Sequence, residues 1–587
     1  MSAMPGPSVM KFLAYPATTA ERAQARPIVA PSDKTESAAL GFFAMASVLH
    51  IFIASFAILS TAAAAPTVNN ITNAPTVTLA SGPLVGTQTI LPLATAAVNK
   101  FLGIPFALSP PERFAPPQSP KPWSTPLTVT DWKPACIQQF KYPAASRNFI
   151  MQYFNNPPPQ ESEDCLYLDV YAPATPAPNE GRTVMFWLYG GGLVSGSSGN
   201  PSYDGSSFAA YQDVIIVVRN YRTNVFGFPG SPEIPLTSRN VGFLDQRFAL
   251  QWVQDNIAAF GGDPAKVTIF GESDGLGASS VDRLIMTLPV NPPFRAGIQQ
   301  SGQASILVGL PANSTLSWLA LVDGLNCSSA SSALACVRSK PATLIKSVEE
   351  HLILDFEPAI DNVTNLSDPQ QVRSEHRIAN VPVLTGTNAQ EGRVYVVGEN
   401  NITAFIADTF PGSTELQQAI SVAYPLGQNG FNTAYDVIAQ IYTEYFFQCP
   451  AAIQANASAA AGYPTWRYYF NASFPDTQLF PSGGVLHSSE IRIVFDTYTY
   501  STIPITAQEY ALSQFMQGAW AQFAKHPALG PGWNRLGTFD GLDLGALGTD
   551  GSSGVTLIPQ TEVDARCELY KPIYDQISAQ ISSTSSF

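Results

Sequence analysis

The sequence predicts an α/β fold with a large, mostly parallel central sheet that is flanked by helices and carries long loop insertions. Apolar runs without polar alternation are typical of strands buried on both faces of a parallel sheet, and they occur at residues 183–189, 213–218, 267–270 and 381–384. Between two of these runs, apolar residues recur at helical spacing, at Leu250, Val253, Ile257 and Phe260. Strand and helix patterns alternate in this way from about residue 80 onward, and no internal repeat interrupts them.

One domain is expected after an N-terminal targeting segment. A length of 587 residues would suggest several domains, but the continuous alternation of elements indicates a single one over 66–587. Residues 1–65 are predicted to be a signal sequence, because 38–59 carry no charge and 61–65 offer small residues for cleavage. A start at Met45 would give a signal of ordinary length. The alternative is a signal anchor of a type II membrane protein, since the apolar stretch is long enough to span a bilayer.

Ser273 is the candidate nucleophile. It is the centre of Gly-Glu-Ser-Asp-Gly at 271–275, directly after the predicted strand 267–270 and before the small-residue segment 276–280. A serine at the tip of a tight strand-to-helix turn holds strained backbone angles, and glycines two residues to either side give the crowded backbone room. The start of the following helix favours negative charge at this point. An ordinary Gly-rich turn has the same pattern, so the assignment of Ser273 as a nucleophile depends on the other groups of the site.

A triple glycine, Gly190 to Gly192, follows the predicted strand 183–189. Such residues let backbone N–H groups face a substrate without Cβ atoms in the way, and loops of this type supply the oxyanion hole of serine acyl-transfer enzymes. The alternative is a flexible turn. We expect the oxyanion donors to be the N–H groups of Gly191, Gly192 and Asp274, each worth roughly 10²–10³ in rate.

His487 is the candidate base. The order of a serine triad in this kind of fold is serine, acid, histidine, so the base should come late in the chain. Of the two late histidines, His526 precedes a proline and is expected at the surface, whereas His487 lies in the Gly-led loop 483–490. The alternative for His487 is a structural histidine whose hydrogen bonds are satisfied. The other histidines are His50, His351 and His376.

Glu391 is the best placed of the many carboxylates between the serine and the histidine. It follows the predicted strand 381–384 and the loop 385–390. Active sites of open α/β sheets gather at such carboxyl ends of strands. Its expected role is to orient the imidazole and to stabilise the imidazolium.

The chain resembles the type-B carboxylesterase and lipase family, which includes cholinesterases and many secreted fungal esterases. Residues 260–273 match the serine signature of that family and 163–173 match its second signature. Shorter stretches also agree, at 101–106, 220–222, 245–256, 300–302, 388–392 and 487–490. The resemblance runs from about residue 75 to 575. It implies an α/β-hydrolase fold and hydrolysis of carboxylic esters through an acyl-enzyme, with Ser273, His487 and Glu391 as the triad.

The resemblance also implies supporting groups and disulfides. Ser301 is expected to place a hydroxyl near the acid, and Glu272 to support the site beside the nucleophile. Spacing alone allows fifteen pairings of the six cysteines, and the family pattern implies Cys136–Cys165, Cys327–Cys336 and Cys449–Cys567. No cofactor is implied, and no Cys/His spacing typical of a metal site occurs.

Two features limit how far the resemblance reaches. The family usually has a small residue after the nucleophile, where this chain has Asp274, and Leu276 replaces a common glycine; neither change removes a catalytic group. The segment between Cys136 and Cys165 carries the apolar run 149–154 but no tryptophan, which weakens a choline-ester interpretation because Trp is the best cation–π partner. An apolar-substrate lid, as in a lipase or sterol esterase, and a core-packed loop helix remain equally open. A catalytically silent adhesion or binding homologue is a remote alternative, since such proteins lose the serine.

Composition indicates a secreted glycoprotein. Six cysteines fit an oxidising compartment, and the net charge of −14 opposes nucleic-acid binding. We expect a small-molecule or lipid ester as partner and no stable membrane insertion of the mature chain; the sequence predicts no oligomeric state. The N-x-S/T sequons, candidate glycosylation sites, are Asn70, Asn313, Asn326, Asn362, Asn365, Asn401, Asn456 and Asn471.

Overall fold

A computed structural model describes residues 74–273, 277–306, 308, 313–498, 502–538 and 541–584. The predicted targeting segment, Asn70, Asp274 and Leu276 lie outside the described residues. The strands are β1 (Thr76–Leu79), β2 (Gly82–Val85), β3 (Thr87–Thr89), β4 (Val98–Pro105), β5 (Leu127–Thr128), β6 (Tyr167–Pro173), β7 (Arg182–Leu188), β8 (Ile215–Arg219), β9 (Gly262–Glu272), β10 (Ala296–Gln300), β11 (Val383–Asn388), β12 (Thr465–Phe470), β13 (Leu544–Leu547) and β14 (Val555–Ile558).

Eleven of these strands form one sheet in the order β14-β13-β12-β11-β10-β9-β7-β8-β6-β4-β3. The seven strands from β8 to β13 in this order pair in parallel, and antiparallel pairs occur only at the two edges. A small separate sheet contains β1, β2 and β5. The predicted mostly parallel sheet is confirmed.

The helices are α1 (Ala144–Phe154), α2 (Ser206–Gln212), α3 (Asn224–Gly227), α4 (Val241–Asn256), α5 (Ala278–Thr287), α6 (Ser314–Gly324), α7 (Ala333–Arg338), α8 (Ala342–His351), α9 (Pro369–Ser374), α10 (Ile402–Thr409), α11 (Thr414–Ala423), α12 (Ala434–Thr443), α13 (Cys449–Ala460), α14 (Ile491–Phe495), α15 (Ala507–Lys525), α16 (Thr561–Asp564) and α17 (Lys571–Thr584). None of those in the described ranges is both long and apolar enough to cross a bilayer.

The four predicted strand runs overlap β7, β8, β9 and β11, whose starts differ from the predicted ones by one to five residues. β11 begins at Val383 rather than at residue 381, because Pro382 has no N–H to donate to a ladder. The predicted helical face forms α4, but the α-helix ends at Asn256. Ile257–Phe260 continues as a 3₁₀ turn that stops at Gly261, whose φ is +85°.

Two apolar cores cover the two faces of the sheet. Every residue of β7 is buried, and successive side chains of a strand point to opposite faces. Val184 and Phe186 therefore pack into one core cluster. Met185 and Trp187 pack into the other. Full burial of such a side chain is worth roughly 1.5–3 kcal/mol, so these central strands are a rigid base for the residues at their carboxyl ends.

Three disulfides are present, Cys136–Cys165, Cys327–Cys336 and Cys449–Cys567, which is the pairing that the family resemblance implies. The first encloses α1 in a loop with a sequence separation of 29 residues. The third joins the start of α13 to the segment before α17 across a separation of 118 residues.

Candidate active site

Ser273 sits at the sharp turn that follows β9. Its φ of +81° lies in the left-handed region, which costs a residue with a side chain of order 1–3 kcal/mol. Glycines make the turn possible: a Cβ on Gly271 would stand 2.6 Å from the carbonyl oxygen of Leu188, and one on Gly277 would stand 1.7 Å from that of Glu272. The sequence analysis identified Gly271 but not Gly277. The position of Gly277 directly before α5 indicates that it belongs to the same turn.

The structure brings the three predicted triad residues into one hydrogen-bonded row. Nε2 of His487 lies 2.9 Å from the Oγ of Ser273, and Nδ1 lies 2.6 Å from Oε2 of Glu391. All three side chains are buried. His526 is exposed at the end of α15, as the sequence predicts.

Glu391 reaches the histidine from the carboxyl end of β11. It begins the 3₁₀ turn Glu391–Val394, and its Oε1 accepts a 2.6 Å hydrogen bond from the backbone N–H of Asn388. One oxygen of the carboxylate is therefore fixed by the backbone, and the other is directed at Nδ1. This arrangement selects the tautomer in which Nε2 can accept a proton from the serine.

A second polar network surrounds the base, and sequence reasoning gave its members no role. Glu490 is fully buried and accepts hydrogen bonds from Nδ2 of Asn388, at 2.6 Å, and from Nε2 of Gln300, at 3.0 Å. The indole of Trp520 donates to Gln300 at 3.0 Å. Asn388 also donates to the carbonyl of Leu486, at 3.0 Å, which ties the acid loop to the base loop. In the sequence, this network is indicated by the family-like stretches 300–302, 388–392 and 487–490.

Glu272 contacts the base directly. Its Oε1 lies 3.1 Å from Nε2 of His487, so it is closer to the chemistry than a supporting residue behind the site. Burial raises the pKa of Glu272, and burial together with the charge of Glu391 raises the pKa of Glu490. Burial lowers the pKa of His487, but Glu272 and Glu391 outweigh it and raise that pKa above its ordinary value.

Ser301 does not support the acid in the way that was expected. Its backbone N–H donates to the carbonyl of Gly386 at 2.8 Å, and its φ is +55°. The buried hydroxyl of Ser301 makes no hydrogen bond to any residue that the structure describes. Glu391 instead accepts its hydrogen bond from the backbone N–H of Asn388, whose side-chain amide donates to Leu486 and Glu490.

The triple glycine lies against the nucleophile. A Cβ on Gly190 would stand 2.6 Å from the Cβ of Ser273. Gly191 and Gly192 have φ values of +105° and +63°. Within the described ranges, neither of their N–H groups donates a hydrogen bond to the protein. Both amides are therefore available to an oxygen atom bound next to Ser273.

A cavity opens over these groups. One face of α1 forms a wall with Arg147, Ile150 and Phe154, and Lys141 lies just before the helix. Tyr203 lines the cavity as well. Of the described residues that line it, none is a tryptophan. Elsewhere in the described chain, no group of His, Cys, Asp or Glu side chains could hold a metal ion.

The helix α1, within the loop closed by Cys136–Cys165, is not packed into the core. No residue of α1 is fully buried. Its outer aromatic side chains, Phe149 and Tyr153, pack against Phe480, with ring centroids 6.1 and 5.9 Å apart. The interpretation of a core-packed loop helix is therefore wrong, and α1 covers the cavity.

The comparisons with known proteins agree with this geometry. The sequence model of the Carboxylesterase family matches residues 73–528. The chain is 33% identical over 478 residues to an acetylcholinesterase of Bungarus fasciatus, an alignment that covers 74% of this chain and 76% of that protein. It is 32% identical over 515 residues to an acetylcholinesterase of Electrophorus electricus, with 76% and 78% covered. It is 30% identical over 475 residues to carboxylesterase 1C of Rattus norvegicus, with 77% and 85% covered.

The sheet order and the strained serine after a central parallel strand define an α/β-hydrolase. More particularly, the chain belongs to the carboxylesterase family. It is a carboxylic ester hydrolase, and the resemblance seen in the sequence is confirmed.

Proposed function

We propose that the protein hydrolyses its ester through a covalent acyl-enzyme formed on Ser273. The observation that carries the proposal is the row of hydrogen bonds from Ser273 through His487 to Glu391. His487 takes the serine proton as the Oγ attacks the ester carbonyl, and then gives that proton to the leaving alcohol. Glu391 holds the ring and stabilises the imidazolium. Water repeats the sequence to release the acid.

The oxyanion would be received by backbone N–H groups. Gly191 and Gly192 supply two unused donors beside Ser273, and we assign the third to the N–H of Asp274. Donors that are already in place stabilise charge as it develops, without having to reorganise. Glu272 lies where it adds a further stabilising charge to the imidazolium.

For the substrate, we propose apolar or lipid-like esters. Ile150 and Phe154 give the α1 wall of the cavity an apolar surface. Arg147 and Lys141 line the same side of the cavity, where each is ion-paired, with Glu350 and Asp355 respectively. A lipase or sterol esterase with α1 as a moving lid is the second candidate, because α1 covers the cavity without being buried.

A silent adhesion homologue is disfavoured, because the serine, base and acid are all present and correctly spaced. We further propose that residues 66–587 form one domain, secreted after removal of 1–65. Six of the described sequons have exposed asparagines and Asn365 is half-buried, so these sites are accessible to glycosylation.

The test is a series of p-nitrophenyl esters from acetate to palmitate, measured below and above the micellar concentration. We expect kcat/KM to rise with acyl length, with Ser273→Ala inactive on every ester. A jump in activity above the micellar concentration favours the lidded lipase. A preference for acetate, or for a choline ester, contradicts the apolar assignment, and an active Ser273→Ala variant contradicts the mechanism.

A further inference from the structure

Ser488, the residue directly after the base, combines two unusual features. Its φ is +70°, in the region where glycine is relaxed and a residue with a Cβ is strained. Its hydroxyl donates a 2.5 Å hydrogen bond to Oε1 of Glu272. Backbone strain of this kind persists where the surrounding structure holds it, and it clusters at functional sites.

The oxygen that Ser488 contacts is the one that faces the base. Oε1 of Glu272 lies 3.1 Å from Nε2 of His487. Glu272 is only 2% exposed, and a buried carboxylate without donors takes up a proton. Of the donors supplied by the described residues, the Ser488 hydroxyl is the one hydrogen-bonded to this carboxylate. The titratable groups that face Glu272 from the surrounding elements are His487, Glu391, Glu490, Tyr203 and Tyr468.

We propose that Ser488 is a positioning residue that acts on the base through Glu272. Its hydroxyl favours the ionised form of Glu272 and directs that carboxylate at Nε2, so that Glu272 stabilises the imidazolium formed when the Ser273 proton moves to His487. The inference rests on the proposed function, because it requires that proton transfer. No further proton or electron is involved: the proton leaves Nε2 for the alcohol oxygen as the ester C–O bond breaks.

Two substitutions distinguish the contribution of the Ser488 hydroxyl from that of the backbone strain. Ser488→Ala removes the hydroxyl and keeps the strained Cβ, whereas Ser488→Gly removes both. We expect each to lower kcat about tenfold with little change in KM, since a charge-assisted hydrogen bond is lost in the transition state. Ser488→Gly should also raise Tm, so misfolding cannot explain its lost activity. The matched control is Ser489→Ala, because the neighbouring hydroxyl is buried and has no partner among the described residues; it should leave kcat unchanged.

The pH profile gives a readout that a merely structural role would not move. Activity requires neutral His487, and an anionic Glu272 raises its pKa. Without the Ser488 hydroxyl, the pKa of Glu272 rises further and its negative charge beside Nε2 is reduced. The pKa of His487 then falls, and the acidic limb of kcat/KM moves to lower pH. In a Glu272→Gln background, adding Ser488→Ala should change kcat less than about twofold, because the path through Glu272 is already gone.

The inference is overturned if the acidic limb of the pH profile does not move or if both Ser488 variants keep the parental kcat. It is also overturned if Ser488→Ala has its full effect in the Glu272→Gln background. Its failure is distinguishable from failure of the proposed function. If Ser273→Ala abolishes activity while the Ser488 variants behave like the parent, only the role of Ser488 is wrong. If Ser273→Ala remains active, the triad itself is wrong.

Discussion

The two halves of the active site are held in place by different physical means. The nucleophile half, residues 190–192, 271–273 and 277, depends on space: a Cβ at Gly190, Gly271 or Gly277 would meet backbone or Ser273 atoms at 2.8 Å or less. The base half, residues 388–391 and 485–490, depends on polar contacts: Asn388 and Glu391 connect its two loops through hydrogen bonds of 2.6–3.0 Å.

This difference predicts how each half fails. Close-packed backbone atoms cannot easily move aside for an added group. A single added methyl group in the nucleophile half should therefore displace reacting atoms. A polar network loses its contacts one at a time, and a buried group that loses its donor mainly costs stability. Among the residues that support the triad, substitutions in the nucleophile half should therefore cost mainly rate, whereas those in the polar network of Asn388 and Glu490 should also cost stability.

The largest expected effect is that of removing the base itself. His487→Ala should lower kcat by a factor on the order of 10⁶, because nucleophile and base work as a unit. His526→Ala should leave kcat unchanged, since His526 is exposed at the end of α15. The measurement is kcat on p-nitrophenyl butyrate, with circular dichroism to confirm that both variants fold. Equal residual activity in the two variants would show that His487 is not the base.

Gly190→Ala tests the steric half. The new Cβ would lie 2.6 Å from the Cβ of Ser273 and 2.8 Å from the carbonyl oxygen of Glu272. A displacement of about 1 Å at reacting atoms can lower the rate on the order of 10²-fold, and we expect at least that loss in kcat/KM. Gly518→Ala in α15 is the matched control, because nothing lies within 4 Å of its added Cβ. That control should keep full activity and gain about 0.5–1 kcal/mol in unfolding free energy. Parental activity in Gly190→Ala would contradict the steric account.

Asn388→Ala tests the polar half. Glu490 and the carbonyl of Leu486 would each lose a donor. We expect about 1–3 kcal/mol lower unfolding free energy and roughly tenfold lower kcat as the Glu391 loop loosens. Denaturant titration and kinetics on the same sample give both values. Asn534→Ala serves for comparison, since its amide makes a single exposed bond to Leu542. If Asn388→Ala cost rate but no stability, the two halves would not differ as described.

The smallest expected effect is at Asp274. Only the backbone N–H of this residue is assigned a role, so Asp274→Ala should keep kcat/KM within about tenfold of the parent. The assay is steady-state hydrolysis of p-nitrophenyl butyrate. If the carboxylate lies near His487, the alanine variant should also move the acidic limb to lower pH. A hundredfold loss would show that the carboxylate itself holds the turn or takes part in the chemistry.

The sequence predicted the nucleophile half better than the base half, for a physical reason. A tight turn needs glycines at fixed local positions, so Ser273 and the triple glycine are recognisable in short stretches of sequence. His487 and Glu391 followed from chain order and from strand ends. The partners of Glu490, by contrast, come from segments 102 and 190 positions away, and no local pattern specifies such distant contacts.

Two errors illustrate the same limit. The family resemblance implied a Ser301 hydroxyl near the acid, but the hydrogen bond that Glu391 accepts at the end of β11 comes from the backbone N–H of Asn388. Glu272 was expected only to support the site beside the nucleophile, yet its Oε1 lies 3.1 Å from Nε2 of His487. In both cases the residue was identified in the sequence, but the role of its side chain depends on where the folded chain places it.

The Cys449–Cys567 disulfide bears on how the enzyme responds to proteases. It encloses a separation of 118 residues that includes His487. Exposed glycines in the turns around 532–537 are cleavable positions within this stretch. One cut there opens the backbone but leaves the two fragments covalently joined, and His487 stays on the same fragment as Ser273. A nicked molecule would migrate as one species until it is reduced, and reduction would then release a carboxyl-terminal peptide carrying β13 and β14 from the edge of the sheet.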